Sequence, residues 1–524
     1  MTVPIRWTST AAPGLGSRPG GALRGGWRKD LLIVLLLSVV ATTLIFWQLG
    51  GGSLSDYDEA DYAQSAREML WWSDYNTPRW NGMEFFDKPP VCYWLTAAAY
   101  RILGVNEFSA RLVSACCGVL AVLMAYLLGR ELFESRIIGI GACVTLLTVS
   151  RNLFSHGYNF LSLARVGMLD MPLILTMMVA VWLVWRGTRV TSRETDWYLI
   201  ALGIPLGLGL MVKSIAGLIA YGIVGLYMLV GVPKRAWWRR ATLKGLLVSL
   251  LIAAPWHLGQ LLVWGRHFWE SYMVSLTLGY VTGEQGHTRD YLFYLRSIQR
   301  GFPVLYPLVA VAAFYSLCRA AKCLLHRTER TKQDRAVILL LCWVVVPFAL
   351  YNVSRSRIGW YMIPIYPPLA LLSVHLLLGA LRRLLALILP LSRWRWSGAV
   401  ATLAVLVATS FSNPRLPRVS NFNPDVKSVA RFGNDAVPKG AVLINYWPGS
   451  YWIRPSALFY ADRPFLLVTD ARALESVLKT PGDYYVLTDW RDWEAVQELG
   501  VVAYRSGDYA LIKGSRLAAG KSDG

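Results

Sequence analysis

Acidic residues lie beside apolar sequence at two places in this chain. Asp58, Glu59 and Asp61 follow the first long apolar run in the segment DYDEADY, and a lone Asp170 begins another apolar run in GMLDMPLIL. Ionisable groups next to a membrane segment are costly and usually serve a function. A carboxylate there can accept a proton from a hydroxyl group, as a general base does. Acids are also favoured at helix starts by the helix dipole alone, so a solvated acidic helix start is the alternative interpretation.

Basic residues lie in comparable positions. Lys88 precedes two prolines in FDKPPVCYWL, and because proline disfavours helix at the preceding residue, we expect this lysine in a stiff, non-helical segment. Lys213 and Arg357 lie at short turns between apolar runs, in GLMVKSIAGL and NVSRSRIGWYM. A phosphate group is the ligand that such cations suit. A lysine that only extends its ammonium to lipid phosphate is the alternative for Lys88.

The elements that must position these residues are membrane-spanning helices. The chain has 524 residues, of which 55% are hydrophobic and only 16% are charged. A spanning helix needs roughly 20 apolar residues, and about eleven such stretches lie between residues 30 and 411. We therefore predict a polytopic α-helical membrane protein with about 11–13 transmembrane helices. A disordered cytoplasmic segment at residues 1–29, rich in Gly, Pro and Arg, precedes them.

The distribution of basic residues predicts the orientation of these helices. The formal net charge is +21, but most Lys and Arg cluster in alternate loops, as the positive-inside rule requires of cytoplasmic loops. That explanation leaves no reason to expect a nucleic-acid partner. The positive-inside rule places the loop at 50–110 and the C-terminal region on the outer side of the membrane, together with Lys88, Lys213 and Arg357. Cations on the outer side run against the rule, and an anionic ligand explains them better than topology does.

The segment that follows Asp58 has the pattern of a surface helix. Charged residues continue through Arg67 and Glu68 on one helical stretch of the outer loop. The pattern resembles an amphipathic helix that lies on the outer leaflet of a bilayer.

The last part of the chain has a different pattern. From about residue 413, short alternating runs such as AVLINYW, FLLVTD, DYYVLTD and YALIKG lie between Pro and Gly turns and the helical pattern ARALESVL. Alternation of period two is typical of half-buried strands. We predict a small soluble α/β domain at 413–524, after a transmembrane domain at 30–412. Its aromatic residues are interpreted as core, namely Trp447, Tyr451, Trp452 and Tyr460.

Seven stretches of the sequence resemble one known family. They are DEADYAQSAREM, FDKPPVCYWL, EFSARLVSACCG, GMLDMPLIL, GLMVKSIAGLI, HTRDYLFYL and SRIGWYMIPIYPPLALL. In this order they resemble the C-type (GT-C) integral-membrane glycosyltransferases, which include protein O-mannosyltransferases and the lipid A aminoarabinose transferase. The resemblance covers roughly residues 30 to 380, so it is far more specific than any single motif.

The resemblance implies roles for individual residues. It implies that Asp58 is catalytic, with Glu59 and Tyr62 beside it, and that Glu59 and Asp170 are further catalytic acids. It associates the donor phosphate with a set of basic and aromatic residues, namely Lys88, Arg357, Tyr361, Tyr62 and Lys213. It also implies that Asp87 and His287 contact a metal in some relatives.

The sequence departs from the family pattern at two positions. Asp61 stands where aminoarabinose transferases tend to carry a basic residue, and Ser214 stands where a glycine commonly follows the lysine. The donor-sugar pocket is therefore expected to differ, and the sequence does not assign aminoarabinose as the sugar.

The resemblance implies a glycosyltransferase that uses a sugar on a polyprenyl phosphate. The implied reaction inverts the configuration at the anomeric carbon of the sugar. It takes place on the outer face of the inner (plasma) membrane. The acceptor is left open between an envelope lipid, a glycan and a protein hydroxyl. No cofactor is expected to be required, and a divalent metal is optional because fixed cations can stabilise a monophosphate leaving group. A transporter or flippase of an anionic polyprenyl-linked lipid is the alternative, because it would use the same cations without bond breaking.

Overall fold

The computed structural model describes most of the chain. The described residues are 26–56, 58–147, 159–189, 195–232, 240–278, 289–302, 305–325, 331–388, 397–410, 421–447, 454–489 and 500–514. His287, Tyr451 and Trp452 lie outside the described residues, as does most of the segment 1–29 that was predicted to be disordered.

The described part of the chain as far as Ser410 is almost entirely helical. The only strands there are the short antiparallel pair β1 (Arg79–Trp80) and β2 (Met83–Glu84). The helices, in chain order, are α1 (Gly26–Phe46), α2 (Asp58–Trp72), α3 (Val91–Leu103), α4 (Glu107–Phe133), α5 (Arg136–Leu146), α6 (Phe160–Ala164), α7 (Asp170–Arg189), α8 (Asp196–Ala201), α9 (Gly203–Lys213), α10 (Leu218–Gly231), α11 (Arg240–Phe268), α12 (Phe293–Gly301), α13 (Tyr306–Leu325), α14 (Lys332–Val353), α15 (Tyr366–Ile388) and α16 (Ser397–Ser410).

Long apolar helices confirm the predicted fold class of a multi-pass membrane protein. Within the described residues, seven helical segments are long and apolar enough to cross a bilayer. Two of them extend over 36 residues each, which exceeds the roughly 20 residues that one crossing needs. The seven segments are Trp27–Phe46, Glu107–Phe133, Asp170–Arg189, Asp196–Gly231, Arg240–Ser275, Lys332–Val353 and Gly359–Leu385.

The segment from Asp196 to Gly231 is bent sharply at Lys213. Ser214 has φ +53° and ψ −131°, and a 3-10 turn of four residues then leads into α10. Residues eight positions apart in a straight helix are about 12 Å apart, yet a Cβ on Gly217 would lie 2.5 Å from the carbonyl of Gly209. The absence of a side chain at Gly217 therefore lets α9 and α10 approach closely and fixes the position of Lys213 at the turn.

Helix α2 is packed inside the protein, so the interpretation of it as a helix on the outer leaflet is wrong. Ten of its 15 residues are buried, including Arg67 and Glu68. The helix packs against α3 on one side and against the C-terminal region on the other. The charged residues that suggested an exposed surface instead have partners within the protein; for example, Glu68 accepts a hydrogen bond from Gln64.

The C-terminal region is a small α/β domain, as predicted. Its five strands form one mixed sheet in the order β4-β3-β5-β7-β6, in which β3 pairs in parallel with β4 and β5, and β7 pairs antiparallel with β5 and β6. The elements are α17 (Pro424–Ala436), β3 (Val442–Tyr446), α18 (Pro455–Ala461), β4 (Leu466–Val468), α19 (Ala471–Leu478), β5 (Tyr484–Asp489), β6 (Gly500–Ser506) and β7 (Tyr509–Gly514).

The two faces of this sheet bury different cores. Successive side chains of a strand point to opposite faces. Ile444 and Val486 pack with Leu474 of α19 in a separate small cluster. Leu443 and Leu487 belong instead to the large core that continues into the membrane domain. One face of the sheet therefore belongs to a core that includes α17 and α18 and continues into the membrane domain, and α19 covers the other face.

We expect Gly217→Ala to destabilise the protein. The added methyl group would meet backbone atoms of Gly209 and Leu210 at 2.5 Å, and backbone cannot yield as a flexible side chain does. Overpacking of this kind costs about 1–3 kcal/mol, so thermal unfolding in detergent should occur at a lower temperature than for the wild type.

Gly225→Ala in α10 is the matched control. No atom lies within 4 Å of a Cβ built on Gly225, so this variant should unfold at or slightly above the wild-type temperature. Equal melting temperatures for the two variants would contradict the close approach of α9 and α10.

Candidate active site

Asp58 is the first residue of α2, and its side chain is half-buried. Burial raises the pKa of this carboxyl group, and the nearby cations Lys213 and Lys88 oppose the rise. The carboxylates of Asp87 and Asp170 act in the same direction as burial, so the pKa lies above the ordinary aspartate value. Asp58 therefore lies within the electrostatic reach of two lysines and two further acids that sequence analysis had selected.

Lys213 and Asp170 form a buried ion pair. Lys213 Nζ lies 2.7 Å from Asp170 Oδ2, and the side chains are 8% and 3% exposed. The pair joins the end of α9 to the first residue of α7. Lys213 Nζ also lies 5.3 Å from the centre of the Tyr361 ring, a distance at which an ammonium is attracted to an aromatic face. Lys213, Asp170 and Tyr361 are thus brought together from three distant segments.

Lys88 is held at the edge of the same cluster. Its Nζ lies 2.6 Å from Asp87 Oδ1, and the lysine side chain is 12% exposed. The segment 87–90 precedes α3, which begins after Pro90 at Val91. The prolines therefore act as predicted, because they keep Lys88 out of the helix.

Arg357 comes four residues before Tyr361 in the chain. Its guanidinium donates hydrogen bonds to the backbone carbonyls of Arg289 and Asn352, the latter at 3.0 Å, and lies over the ring of Tyr291. The side chain is buried, and its Nε lacks a hydrogen-bond partner within the described part of the chain. Arg357 thus retains a donor that protein groups there do not use.

Two further residues of α2 face the cluster. Tyr62 is buried, with burial and the charge of Asp58 raising the pKa of its hydroxyl. Burial also raises the pKa of Asp61, and the carboxylates of Asp58 and Asp87 add to that rise. Asp61 therefore places a carboxyl group, with its ionised form disfavoured, where the family pattern has a basic residue.

Glu59 points away from these residues into the protein. Its Oε1 lies 2.7 Å from Arg111 Nε, and both side chains have no exposed surface. The same carboxylate accepts backbone hydrogen bonds from Gly167 at 3.0 Å and Ser55 at 2.8 Å. With its oxygens bound in this way, Glu59 holds α2 in place, and its geometry differs from that of the half-buried Asp58.

The predicted metal ligands are not brought together in the part of the chain that the structure describes. Asp87 is paired with Lys88, and His287 lies outside the described residues. Among the described residues, no group of three His, Cys, Asp or Glu side chains could hold a metal ion. The described donor set therefore does not fit a metal, and the metal stays a prediction.

Arg111 and Ser214 are structural residues of the site to which sequence reasoning assigned no role. Arg111 lies within an apolar helix, and a buried arginine needs a partner; this signal could have identified it. Ser214 has a backbone conformation that is favourable only for glycine. The signal for Ser214 was the missing glycine after Lys213.

The carboxyl groups of the cluster differ in their partners. Asp87 and Asp170 each have an ion pair with a lysine, whereas Asp58 and Asp61 have none within the described residues. Such a site can attract a phosphate through its cations and accept a proton at Asp58.

Comparison with known proteins gives one family match and a set of curated relatives. The family model of dolichyl-phosphate-mannose-protein mannosyltransferase matches residues 87–258. The undecaprenyl phosphate-alpha-4-amino-4-deoxy-L-arabinose arabinosyl transferase of Pseudomonas aeruginosa (strain UCBPP-PA14) is 29% identical over 336 residues, which are 62% of this chain and 56% of that protein. The transferase of the same name from Pectobacterium carotovorum is 26% identical over 72% of this chain and 64% of its own length. The matches therefore span about three fifths of the relatives.

Solved structures share the fold over more of the chain. ArnT from Cupriavidus metallidurans, in a crystal structure with undecaprenyl phosphate bound, has a TM-score of 0.68 at 18% identity and covers 95% of this chain and 99% of its own. The archaeal oligosaccharyltransferase AglB from Archaeoglobus fulgidus, in complex with an inhibitory peptide and a dolichol-phosphate, has a TM-score of 0.53 at 14% identity over 90% of this chain and 70% of its own. The chain is therefore similar in sequence to integral-membrane glycosyltransferases, and it shares the fold of the solved structures.

Proposed function

We propose that the chain transfers a sugar from a polyprenyl-phosphate donor to a hydroxyl group of an acceptor. The observation that carries the proposal is the half-buried Asp58 beside the Lys88–Asp87 and Lys213–Asp170 ion pairs. The sequence relatives named above are undecaprenyl-phosphate-dependent sugar transferases, which supports a donor of this class.

The cations of the cluster would bind and stabilise the phosphate of the donor. When the bond between the anomeric carbon and the phosphate oxygen breaks, negative charge develops on that oxygen. Fixed positive groups act most strongly on charge that grows in the transition state. Lys88 and Lys213 are lysines of this kind, and the unused Nε of Arg357 is a further donor. Tyr361 and Tyr62 would line the same phosphate site.

Asp58 would act as the general base. The acceptor oxygen forms the new bond to the anomeric carbon from the face opposite the phosphate, so the configuration inverts, and its proton passes to Asp58. A carboxylate with a raised pKa is better suited to this task, because an effective base has a pKa near the working pH. Asp170 would orient the acceptor or share the proton. Its ion pair with Lys213 makes orientation the larger part.

Glu59 has a different role in this proposal. Its carboxylate is bound by Arg111 and by two backbone amides, so we assign it to positioning α2 and not to proton transfer. This assignment replaces the catalytic role that the family resemblance implied for Glu59.

The reaction would take place at the outer face of the inner (plasma) membrane. The basic loops predicted to be cytoplasmic lie at the opposite ends of the helices from Asp58, Lys88 and Lys213 in the sequence, and the positive-inside rule supports that orientation. An envelope lipid, a glycan and a protein hydroxyl are the acceptors to test. A radiolabelled polyprenyl-phosphate sugar panel, offered to the purified protein in lipid with each acceptor, separates transfer from transport: donor uptake without product would support a flippase.

Asp58→Asn should remove most of the transferase activity. The amide keeps the shape of the side chain but cannot accept the proton, and general-base catalysis contributes about 10²- to 10⁴-fold to a rate. The measurement is sugar transfer with the donor panel, together with thermal unfolding, which should change little because Asp58 is half-buried. Wild-type turnover by this variant would remove Asp58 from the mechanism.

Glu59→Gln should lower the thermal stability of the protein, in contrast to Asp58→Asn. Breaking a buried ion pair by removing one partner costs about 3–5 kcal/mol because the other charge is left uncompensated, so this variant should unfold at a clearly lower temperature. The two neighbouring acids thus act as controls for one another. A Glu59→Gln protein as stable as the wild type would contradict the importance of the Arg111 ion pair.

The pH dependence of transfer should reflect the raised pKa of Asp58. The base acts only when deprotonated, so kcat/KM should fall as the pH is lowered through that pKa. Because burial raises the pKa, the acid limb of the profile should lie above the ordinary aspartate value of about 4. An acid limb at or below that value, measured with a donor whose phosphate does not titrate in the range, would count against Asp58 as the base.

A further inference from the structure

The loop before α2 is bound by the C-terminal domain at Ser53, Leu54 and Asp56. Ser53 N and Oγ donate to Asn421 Oδ1 at 2.8 and 2.9 Å. Leu54 N donates to the hydroxyl of Tyr460 at 2.7 Å. These hydrogen bonds join residues that are 368 and 406 positions apart in the chain. The loop that leads into α2 is therefore fixed from outside the membrane domain.

Asp56 makes a charged contact with the C-terminal domain. Its Oδ1 accepts from Ser456 N at 3.1 Å and from Ser456 Oγ at 2.5 Å, and its Oδ2 lies 3.1 Å from Arg454 Nη1. The Asp56 side chain is 14% exposed and that of Arg454 is 23% exposed. Charge-assisted hydrogen bonds of this kind are stronger than neutral ones and define a geometry. Asp56 lies two residues before Asp58, at the end of α2 where the proposed base lies.

Arg454 is itself held in place by aromatic rings. Its guanidinium carbon lies 3.8 Å from the centre of the Trp447 ring and 4.8 Å from that of Tyr509. Stacking on aromatic faces restricts a planar guanidinium. The guanidinium that binds Asp56 is therefore held in place by aromatic residues of the C-terminal domain itself.

The other end of α2 is bound by the same domain. Arg67 donates to the carbonyl of Phe459 and pairs with Asp462. Asn81, after the helix, exchanges two hydrogen bonds with the backbone of Phe465, at 2.9 and 2.8 Å. Helix α2 is thus held at its start and near its end by α18 and the residues that follow it.

We propose that the C-terminal domain is a clamp that positions Asp58, and that Asp56 is the positioning residue through which Arg454 and Ser456 act. The proposal rests on the role of Asp58 proposed above. The clamp fixes the first turn of α2, so the Asp58 carboxylate stays at one distance from Lys88 and Lys213. Asp56 does not touch the reacting atoms, because its carboxylate is bound by the C-terminal domain.

A second contact between the two domains offers a matched control. Glu107 at the start of α4 pairs with Lys427 at 2.5 Å and with Arg431 at 3.3 Å. This contact also docks the C-terminal domain, but it reaches α4 and not the loop before Asp58. Loss of docking in general would affect both contacts, whereas loss of positioning would follow Asp56 alone.

The test compares Asp56→Asn, Arg454→Gln, Arg454→Lys and Glu107→Gln in the full-length protein in lipid. A misplacement of about 1 Å at a catalytic group can lower a rate by about 100-fold, so Asp56→Asn and Arg454→Gln should lower kcat by about 10- to 100-fold. The KM for the donor should stay within about twofold, because uniform binding is untouched. Arg454→Lys keeps the charge and should recover part of kcat, and Glu107→Gln should resemble the wild type.

Hydrogen exchange gives a readout that does not need turnover. Backbone amides of residues 58–62 should exchange faster in Asp56→Asn than in the wild type or in Glu107→Gln, since the first turn of α2 loses its anchor. Unchanged exchange and unchanged kcat in Asp56→Asn would overturn the proposal, as would an equal loss of kcat in Glu107→Gln. A wild type that transfers no sugar would contradict the proposed function, and the exchange data would still decide whether the clamp exists.

Discussion

Arg111 and Glu59 form an ion pair with no exposed surface, and several other parts of the site depend on it. Arg111 also donates to the carbonyls of Leu49 at 3.0 Å and Ser53 at 2.9 Å, so one guanidinium joins the end of α1, the following loop and α2. A buried charge without a partner is very costly. The ion pair therefore holds these segments together as one unit. Asp58 is adjacent to Glu59 in the chain, so the same pair fixes its position.

A second buried arginine supports the same region. Arg165 donates to the carbonyls of Leu44 at 2.5 Å and Trp47 at 2.6 Å, which are carbonyls at the end of α1 that have no acceptor role within the helix. The membrane domain thus uses arginine side chains where the first helix ends. Buried polar groups are costly unless they are hydrogen-bonded. The hydrogen bonds of Arg165 therefore link the end of α1 rigidly to the chain near Asp170.

The sequence predicted the fold class and the members of the cluster better than their contacts. Hydropathy identified the helices because spanning segments need long apolar runs, and alternation identified the strands, where Ile444 and Leu443 face different cores. Asp58, Lys88 and Lys213 were selected because charges next to apolar runs are unusual. The ion pair of Lys213 with Asp170 and the burial of α2 could not be predicted, since both depend on segments far apart in the chain. The charged residues of α2 were interpreted as solvent-exposed because their partners, such as Asp462, lie far away in the sequence, in the last domain.

The hydrogen bonds of Asp56 also constrain the order in which the protein can be assembled. Asp56 and Ser456 are 400 residues apart, so the ribosome must complete the whole membrane domain before the loop at Asp56 meets its partner. Contacts between such distant residues form late in folding, because the long intervening chain must first be ordered. During synthesis the first turn of α2 therefore lacks its anchor. The residues of the site are synthesised long before the contacts that position them can form.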